Sequence, residues 1–269
     1  MTGERTSARS RVRGGLRRGA YLLPSLFTIG NMVLGFYAIV CGLDGQFLKA
    51  ALLVFLAGFV DLLDGRIARM TGTESEFGRE YDSLADVITF GATPGLLAYF
   101  WGLREFARDA WLLCVFYMVC AATRLARFNV QTRVVDSRFF VGLPMPAAAG
   151  AICSLLVFAP EYASDRDLRR VMQVVMGLAL LLVGVLMVST FRYKSFKKID
   201  LRRRWSYRSF VPFAAILLVF VFIPRATFLA IAILYTLSAP LAAGIARLRH
   251  PHGHRPEEPP PPPPVAETP

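Results

Sequence analysis

The sequence predicts an all-α integral membrane protein with about eight transmembrane helices, and three observations support this fold class. Of its 269 residues, 55% are hydrophobic, and the mean hydropathy is +0.46. The apolar residues fall in long runs, as expected for helices that cross a bilayer. Basic residues flank these runs, and Lys and Arg outnumber Asp and Glu by 31 to 19.

The apolar runs define the predicted spans in chain order. The seventh is short, and Pro224-Arg225 separates it from the eighth, so a count of six or seven helices remains open. The predicted spans are residues 20–42, 46–67, 82–102, 109–129, 142–160, 170–190, 209–223 and 226–247.

The distribution of positive charge predicts the orientation. With a cytoplasmic N-terminus, most of the 31 Lys and Arg residues fall in segments on the cytoplasmic side, as the positive-inside rule requires. We therefore expect both termini in the cytoplasm and contact with anionic lipids of the inner leaflet. Basic residues that flank spans also argue against nucleic-acid binding, the competing explanation for a net charge of +12.

The chain divides into three parts. Residues 1–19 form a basic N-terminal arm, residues 20–249 form one transmembrane domain, and residues 250–269 form a proline-rich tail that we expect to be disordered. All three histidines lie at the start of this tail, where no apolar context exists to build a metal site.

Four aspartates interrupt the apolar sequence in two groups with helical spacing. Ionised groups at membrane depth are costly and usually mark a functional site. Residues three, four and seven positions apart share one face of a helix. The first such face carries Asp61, Asp64, Gly65 and Ala68, and the second carries Gly78, Asp82 and Asp86.

The donor set predicts a particular class of ion. Neither His nor Cys lies near the four aspartates, and carboxylates alone suit Mg²⁺ or Mn²⁺ rather than zinc. Two such ions a few Å apart could hold a diphosphate. Arg69 could contact a phosphate oxygen, balance the cluster, or simply reach the membrane interface. An ion pathway in a divalent-cation transporter is the alternative from a different functional class.

The pattern D-x-x-D-G-x-x-A-R-x8-G-x-x-x-D-x-x-x-D, from Asp61 to Asp86, resembles the signature of the CDP-alcohol phosphatidyltransferases. The resemblance implies a helical membrane enzyme, commonly a homodimer, whose site opens to the cytoplasm. It implies two divalent metal ions held by Asp61, Asp64, Asp82 and Asp86, with Asp86 as the general base. It also implies a CDP-diacylglycerol site formed by Asp61, Asp64, Gly65, Ala68, Arg69, Gly78 and Asp82.

Flanking segments narrow the resemblance to the membrane-embedded bacterial phosphatidylserine synthases. These segments are residues 24–31, 82–91, 123–129, 140–146 and 191–194. This subfamily implies transfer of a phosphatidyl group from CDP-diacylglycerol to L-serine in the inner (cytoplasmic) membrane. Glycerol 3-phosphate, inositol and choline remain alternative acceptors, since sister enzymes share parts of these segments.

A zwitterionic acceptor such as serine needs cations for its carboxylate. Arg124 and Arg127 lie three residues apart near the end of the fourth predicted span, so both can face the helix bundle. The candidate acceptor-binding residues are Arg124, Arg127, Asn129, Arg192 and Lys194. The alternative for each basic residue is an ordinary anchor at the membrane surface.

Overall fold

The computed structural model of the protein describes residues 26–71, 75–131, 139–158, 165–194 and 224–249. These ranges contain seven helices and one pair of short antiparallel strands, so the predicted all-α fold class is confirmed. The helices are α1 (Leu26–Leu43), α2 (Phe47–Thr71), α3 (Glu76–Phe106), α4 (Trp111–Gln131), α5 (Met145–Phe158), α6 (Arg166–Val188) and α7 (Pro224–Arg249). The strands are β1 (Phe139–Val141) and β2 (Arg192–Lys194).

Five of the described helices, α1, α3, α4, α6 and α7, are long and apolar enough to cross a membrane. The protein is therefore a multi-pass membrane protein. Helix α2 has 25 residues but carries Asp61 and Asp64, and α5 has 14 residues, fewer than the roughly 20 that a perpendicular span needs. The count of eight is not confirmed. The predicted span 209–223, the basic arm and the proline-rich tail lie outside the described residues.

Helix α3 departs from α-helical geometry directly after Asp86. Val87–Ala92 is a π-helical segment, and Pro94 follows it. Because proline has no backbone N–H, the carbonyl of Phe90, four residues earlier, loses its α-helical donor. The buried Tyr117 hydroxyl of α4 donates to this carbonyl at 3.0 Å. This bond ties α4 to the part of α3 that carries Asp86.

Helix α1 packs closely against α3 through small residues. A Cβ at Gly35 would lie 2.6 Å from Thr89 Oγ1, and a Cβ at Gly42 would overlap the Leu97 side chain. Ala38, between the two glycines, is fully buried. Small residues of this kind allow two membrane helices to bring their backbones together, and here they hold α1 beside the aspartates of α3.

The strand pair, which the sequence did not predict, joins the segments before α5 and after α6. Gly142 follows β1 with φ +80°, and its N–H donates to the Phe191 carbonyl at 2.8 Å. Tyr193 of β2 is buried, and its hydroxyl donates to the Thr236 carbonyl of α7 at 3.0 Å. The pair therefore connects the end of α6 to α7.

Candidate active site

Helices α2 and α3 bring three of the four aspartates together. One carboxylate oxygen from each of Asp61, Asp82 and Asp86 lies within 4.8 Å of the others, and all three residues are half-buried. This proximity agrees with the helical spacing, which places Asp61 on one face of α2 and the other two on one face of α3. Their role as ligands is still a prediction.

Asp64, one turn after Asp61, is the most buried of the four aspartates, with 5% of its surface exposed. Its Oδ2 accepts a hydrogen bond from Thr28 Oγ1 of α1 at 2.7 Å. Within the described part of the chain, its Oδ1 is buried and has no hydrogen-bond partner. Asp64 thus has one oxygen held by α1 and the other available to a ligand.

The start of α3 is fixed by its own sequence. Ser75 is the N-cap residue, and its side chain accepts a hydrogen bond from the Gly78 N–H at 2.9 Å. A Cβ at Gly78 would lie 3.0 Å from that Ser75 oxygen, so glycine suits this close approach. Further along, Asn129 of α4 donates to Ser83 Oγ at 3.0 Å. The cap and this contact position the helical face that carries Asp82 and Asp86.

The carboxylate cluster fits a divalent cation. Carboxylates this close together repel one another unless protons or a cation neutralise them. Among the described residues, Asp82 Oδ1 is buried without a hydrogen-bond partner, so an oxygen is left without the donor that burial normally requires. The donor set contains only carboxylate oxygens, the ligands that Mg²⁺ and Mn²⁺ prefer.

Arg124 of α4 faces the cluster. Its side chain is buried, with 7% of the residue's surface exposed, and it interacts electrostatically with Asp86 and with Tyr235 of α7. Its Nε is buried and makes no hydrogen bond to any described residue. A buried guanidinium with an unused donor, beside the candidate base, is suited to bind an anionic group.

Arg127 has a different environment, although it lies three residues from Arg124. Its Nη1 donates to the Val188 carbonyl and its Nη2 to the Ser189 carbonyl, both at 3.0 Å. These are backbone oxygens at the end of α6, which an arginine can satisfy as a C-terminal cap. Acceptor binding by Arg127 stays a prediction, and its described contacts favour a structural role.

Of five further predicted residues, one is described in full and four only by their place in a helix or strand. Gly65 lies on α2, one turn after Asp61. Ala68 and Arg69 also lie on α2, and Arg192 and Lys194 lie on β2, but their side chains are outside the described part of the structure. Their predicted contacts with substrates are therefore not tested.

Two polar residues of α1 contact the aspartates, although the sequence pattern did not predict a role for them. Thr28 bonds Asp64, and Asn31 Nδ2 donates to Asp86 Oδ1 at 3.5 Å. The sequence does contain an indication of such a role, because the two polar side chains lie three residues apart within an apolar helix. Such residues in a membrane span usually have a partner on a neighbouring helix.

A separate cavity of about 530 Å³ lies at the other end of α2, with Lys49, Trp101 and Arg169 in its lining. Lys49 precedes Asp61 by twelve residues, or about 18 Å along an α-helix. Arg169 is paired with Glu105 at 2.8 Å. The cavity is therefore distinct from the carboxylate cluster.

Comparison with known proteins identifies a protein family that this sequence matches. Residues 21–188, which include all four aspartates, match the family model described as CDP-alcohol phosphatidyltransferase. The chain is 39% identical over 193 residues to the CDP-diacylglycerol–serine O-phosphatidyltransferase of Helicobacter pylori, covering 71% of this chain and 78% of that protein. It is 32% identical over 176 residues to the protein of the same name from Bacillus subtilis, covering 65% and 92%.

Proposed function

This chain belongs to the CDP-alcohol phosphatidyltransferase family, and we propose that it transfers the phosphatidyl group of CDP-diacylglycerol to L-serine. The products are phosphatidylserine and CMP. The observation that supports the proposal most is that the carboxylates of Asp61, Asp82 and Asp86 lie close together. The relatives of this chain are named for the same reaction. Family membership makes the protein an enzyme rather than a divalent-cation transporter.

The proposed reaction is a displacement at phosphorus. The serine hydroxyl attacks the β-phosphorus, which bears the diacylglycerol, and its proton passes to the Asp86 carboxylate. The bond between this phosphorus and the bridging oxygen breaks, and CMP leaves with that oxygen. A positioned carboxylate that accepts the proton typically contributes a factor of 10² to 10⁴ to the rate.

The proposed cofactors are two divalent cations, Mg²⁺ or Mn²⁺, held by Asp61, Asp64, Asp82 and Asp86. Bound there, they would supply positive charge to the diphosphate as negative charge develops on the leaving group. The Oδ1 atoms of Asp64 and Asp82 are available to act as ligands, because they have no hydrogen-bond partner among the described residues.

The nucleotide is proposed to lie along the small residues of the signature. Gly65, Ala68 and Gly78 have little or no side chain, so a diphosphate can approach the backbone of α2 and the start of α3. Arg69, which lies on α2 five residues after Asp64, is the proposed cation for a phosphate oxygen.

Arg124 is the residue that we favour for the serine carboxylate. It is buried, has a free Nε donor and interacts with Asp86. A serine held through its carboxylate by Arg124 would present its hydroxyl near Asp86. Asn129, Arg127, Arg192 and Lys194 remain further candidates for acceptor binding.

The charge pattern supports a proposed location in the cytoplasmic membrane with the site open to the cytoplasm, where anionic lipids attract the basic segments. We also propose that the protein acts as a homodimer, as the family resemblance implies. Chemical crosslinking in native membranes would test the dimer.

A panel of acceptors tests the substrate assignment. The purified protein is given CDP-diacylglycerol with a divalent cation and, in separate reactions, labelled serine, glycerol 3-phosphate, inositol or choline. We expect labelled lipid from serine alone. A labelled lipid from another acceptor and none from serine would overturn the serine assignment while leaving the displacement chemistry in place.

A further inference from the structure

Helix α1 presents two buried polar side chains to the aspartate site. Thr28 and Asn31 have 4% and 1% of their surface exposed, and they contact Asp64 on α2 and Asp86 on α3. We infer that Thr28 and Asn31 are positioning residues, which fix the orientation of these two carboxylates for metal binding and catalysis. The inference rests on the proposed function only in naming the reaction that the carboxylates serve.

The two contacts differ in strength. Thr28 Oγ1 lies 2.7 Å from Asp64 Oδ2 in a buried environment, and a hydrogen bond to a carboxylate at this distance is a strong one. Asn31 Nδ2 lies 3.5 Å from Asp86 Oδ1, at the limit of a hydrogen bond. Thr28 therefore has the larger positioning effect, and Asn31 has the weaker one.

The geometry of the Thr28 contact suits a residue that supports a metal ligand. Since the hydroxyl donates to Oδ2, it fixes the plane of the Asp64 carboxylate and leaves Oδ1, which has no described partner, free to bind a cation. Partners of this kind orient ligands, and their loss typically weakens metal affinity or activity by 10- to 100-fold.

Helix α1 is held in a defined register, which positioning requires. Thr89 Oγ1 of α3 donates to the Asn31 carbonyl at 3.2 Å. Thr93 Oγ1 lies 3.3 Å from the Gly35 carbonyl, but its nearer acceptor is the Ile88 carbonyl of its own helix at 2.9 Å. A Cβ at Gly35 would lie 2.6 Å from Thr89 Oγ1. A shift of α1 along α3 would break the bond between Thr89 and the Asn31 carbonyl, so this bond and the close packing at Gly35 oppose a movement that would displace Thr28 from Asp64.

The test compares a substitution that removes the hydroxyl with one that keeps it. Thr28→Val keeps the shape of the side chain and removes the donor, whereas Thr28→Ser keeps the donor. Binding of Mn²⁺ to the full-length protein is measured by electron paramagnetic resonance without any substrate. We expect Thr28→Val to weaken Mn²⁺ binding about 10- to 100-fold and Thr28→Ser to stay within a few-fold of the wild type. Asn31→Ala is expected to have a smaller effect than Thr28→Val.

Ser154→Ala is the matched control, because Ser154 is buried and its hydroxyl donates within its own helix to the Gly150 carbonyl at 2.6 Å. It removes a buried hydroxyl without touching a carboxylate, and Mn²⁺ affinity should not change. Equal Mn²⁺ affinity in Thr28→Val and the wild type would overturn the inference, as would an equal loss in Thr28→Val and Thr28→Ser. Should Thr28→Val fail to fold, Thr28→Ala replaces it in the same comparison.

The readout separates this inference from the proposed function. Mn²⁺ binding is measured without CDP-diacylglycerol or serine, so a wrong acceptor assignment would leave the Thr28 result intact. Conversely, if the wild type makes phosphatidylserine but Thr28→Val binds Mn²⁺ normally, the positioning role fails and the function stands.

Discussion

Asp61 of α2 and Asp82 of α3 lie on different helices, and their carboxylate oxygens approach within 4.8 Å of each other. Nothing in the local sequence of either helix requires this contact; it exists because the fold brings the two helices close together at these residues. Burying two like charges side by side is costly unless something neutralises them. Their proximity is therefore the feature that most directly indicates a cation-dependent site.

Asp64→Asn should abolish activity and weaken divalent-ion binding. The substitution keeps the shape and the oxygen that accepts from Thr28, but it removes the negative charge that a hard cation needs. Titration calorimetry with Mn²⁺ measures the effect. Asp44→Asn, which changes an exposed carboxylate between α1 and α2, should bind Mn²⁺ normally. Unchanged affinity in Asp64→Asn would remove Asp64 from the ligand set.

Asp86→Asn should retain binding of CDP-diacylglycerol but lower the transfer rate by about two to four orders of magnitude, the usual contribution of a general base. The amide cannot accept the proton of the acceptor hydroxyl. Binding of the lipid nucleotide and single-turnover release of CMP are measured separately. Near-normal turnover would show that another group takes the proton.

Arg124→Ala should raise the KM for serine and leave the KM for CDP-diacylglycerol nearly unchanged. Loss of a buried charge-assisted contact costs about 2 kcal/mol at the low end of the usual range, or roughly 30-fold in affinity. Steady-state kinetics with each substrate varied in turn measure both constants. A loss of affinity for CDP-diacylglycerol instead would assign Arg124 to the phosphates.

Arg127→Ala is the natural comparison, because its guanidinium contacts the Val188 and Ser189 carbonyls. We expect it to lower the thermal stability of the protein with little change in the KM for serine. A rise in that KM similar to that of Arg124→Ala would show that both arginines bind the acceptor, as their shared helix face suggests.

The arrangement of the aspartates along each helix could be predicted from the sequence, because it follows from helical spacing. Residues at helical spacing share a face, so Asp82 and Asp86 could be placed on one face of α3 before the structure was known. The pairing of α2 with α3 followed from the resemblance and from the cost of isolated charges in a membrane. Only the placement of Asp82 and Asp86 on one face required local geometry alone.

The remaining features depend on contacts between distant segments. The Thr28–Asp64 bond joins residues 36 positions apart, and no periodicity in α1 reveals its partner. The π-helical segment Val87–Ala92 depends on Pro94 together with a donor on another helix, Tyr117. Spacing alone could not distinguish the role of Arg127 from that of Arg124, because the partners of Arg127 are backbone carbonyls at the end of α6.

Gly35→Ala should destabilise the protein. The added Cβ would lie 2.6 Å from Thr89 Oγ1, and overpacking of this kind typically costs about 1–3 kcal/mol. Gly58→Ala is the matched control, since its Cβ would lie 3.7 Å from the Phe90 ring, an ordinary contact. Thermal unfolding in detergent should show a lower midpoint for Gly35→Ala and an equal or higher midpoint for Gly58→Ala, because alanine favours helix. Equal midpoints for Gly35→Ala and the wild type would show that α1 can move away from α3.

Both termini should be cytoplasmic if the eight-span layout is right. Single cysteines at Ser7 and Thr268 can be tested with a membrane-impermeant maleimide in intact cells and in inverted vesicles. The native cysteines are free and buried, so they should contribute little background. Labelling in inverted vesicles alone is expected for both positions, and labelling of either in intact cells would contradict the layout.

The aspartate cluster is proposed to be a divalent-cation site that transfers a phosphatidyl group to serine. The most direct measurement is release of CMP from CDP-diacylglycerol by the purified protein after removal of metal, with serine present. We expect no release until Mg²⁺ or Mn²⁺ is restored, then equal amounts of CMP and phosphatidylserine, and neither product from Asp61→Asn or Asp82→Asn. Full activity in the metal-stripped protein, or in either variant, would contradict the account.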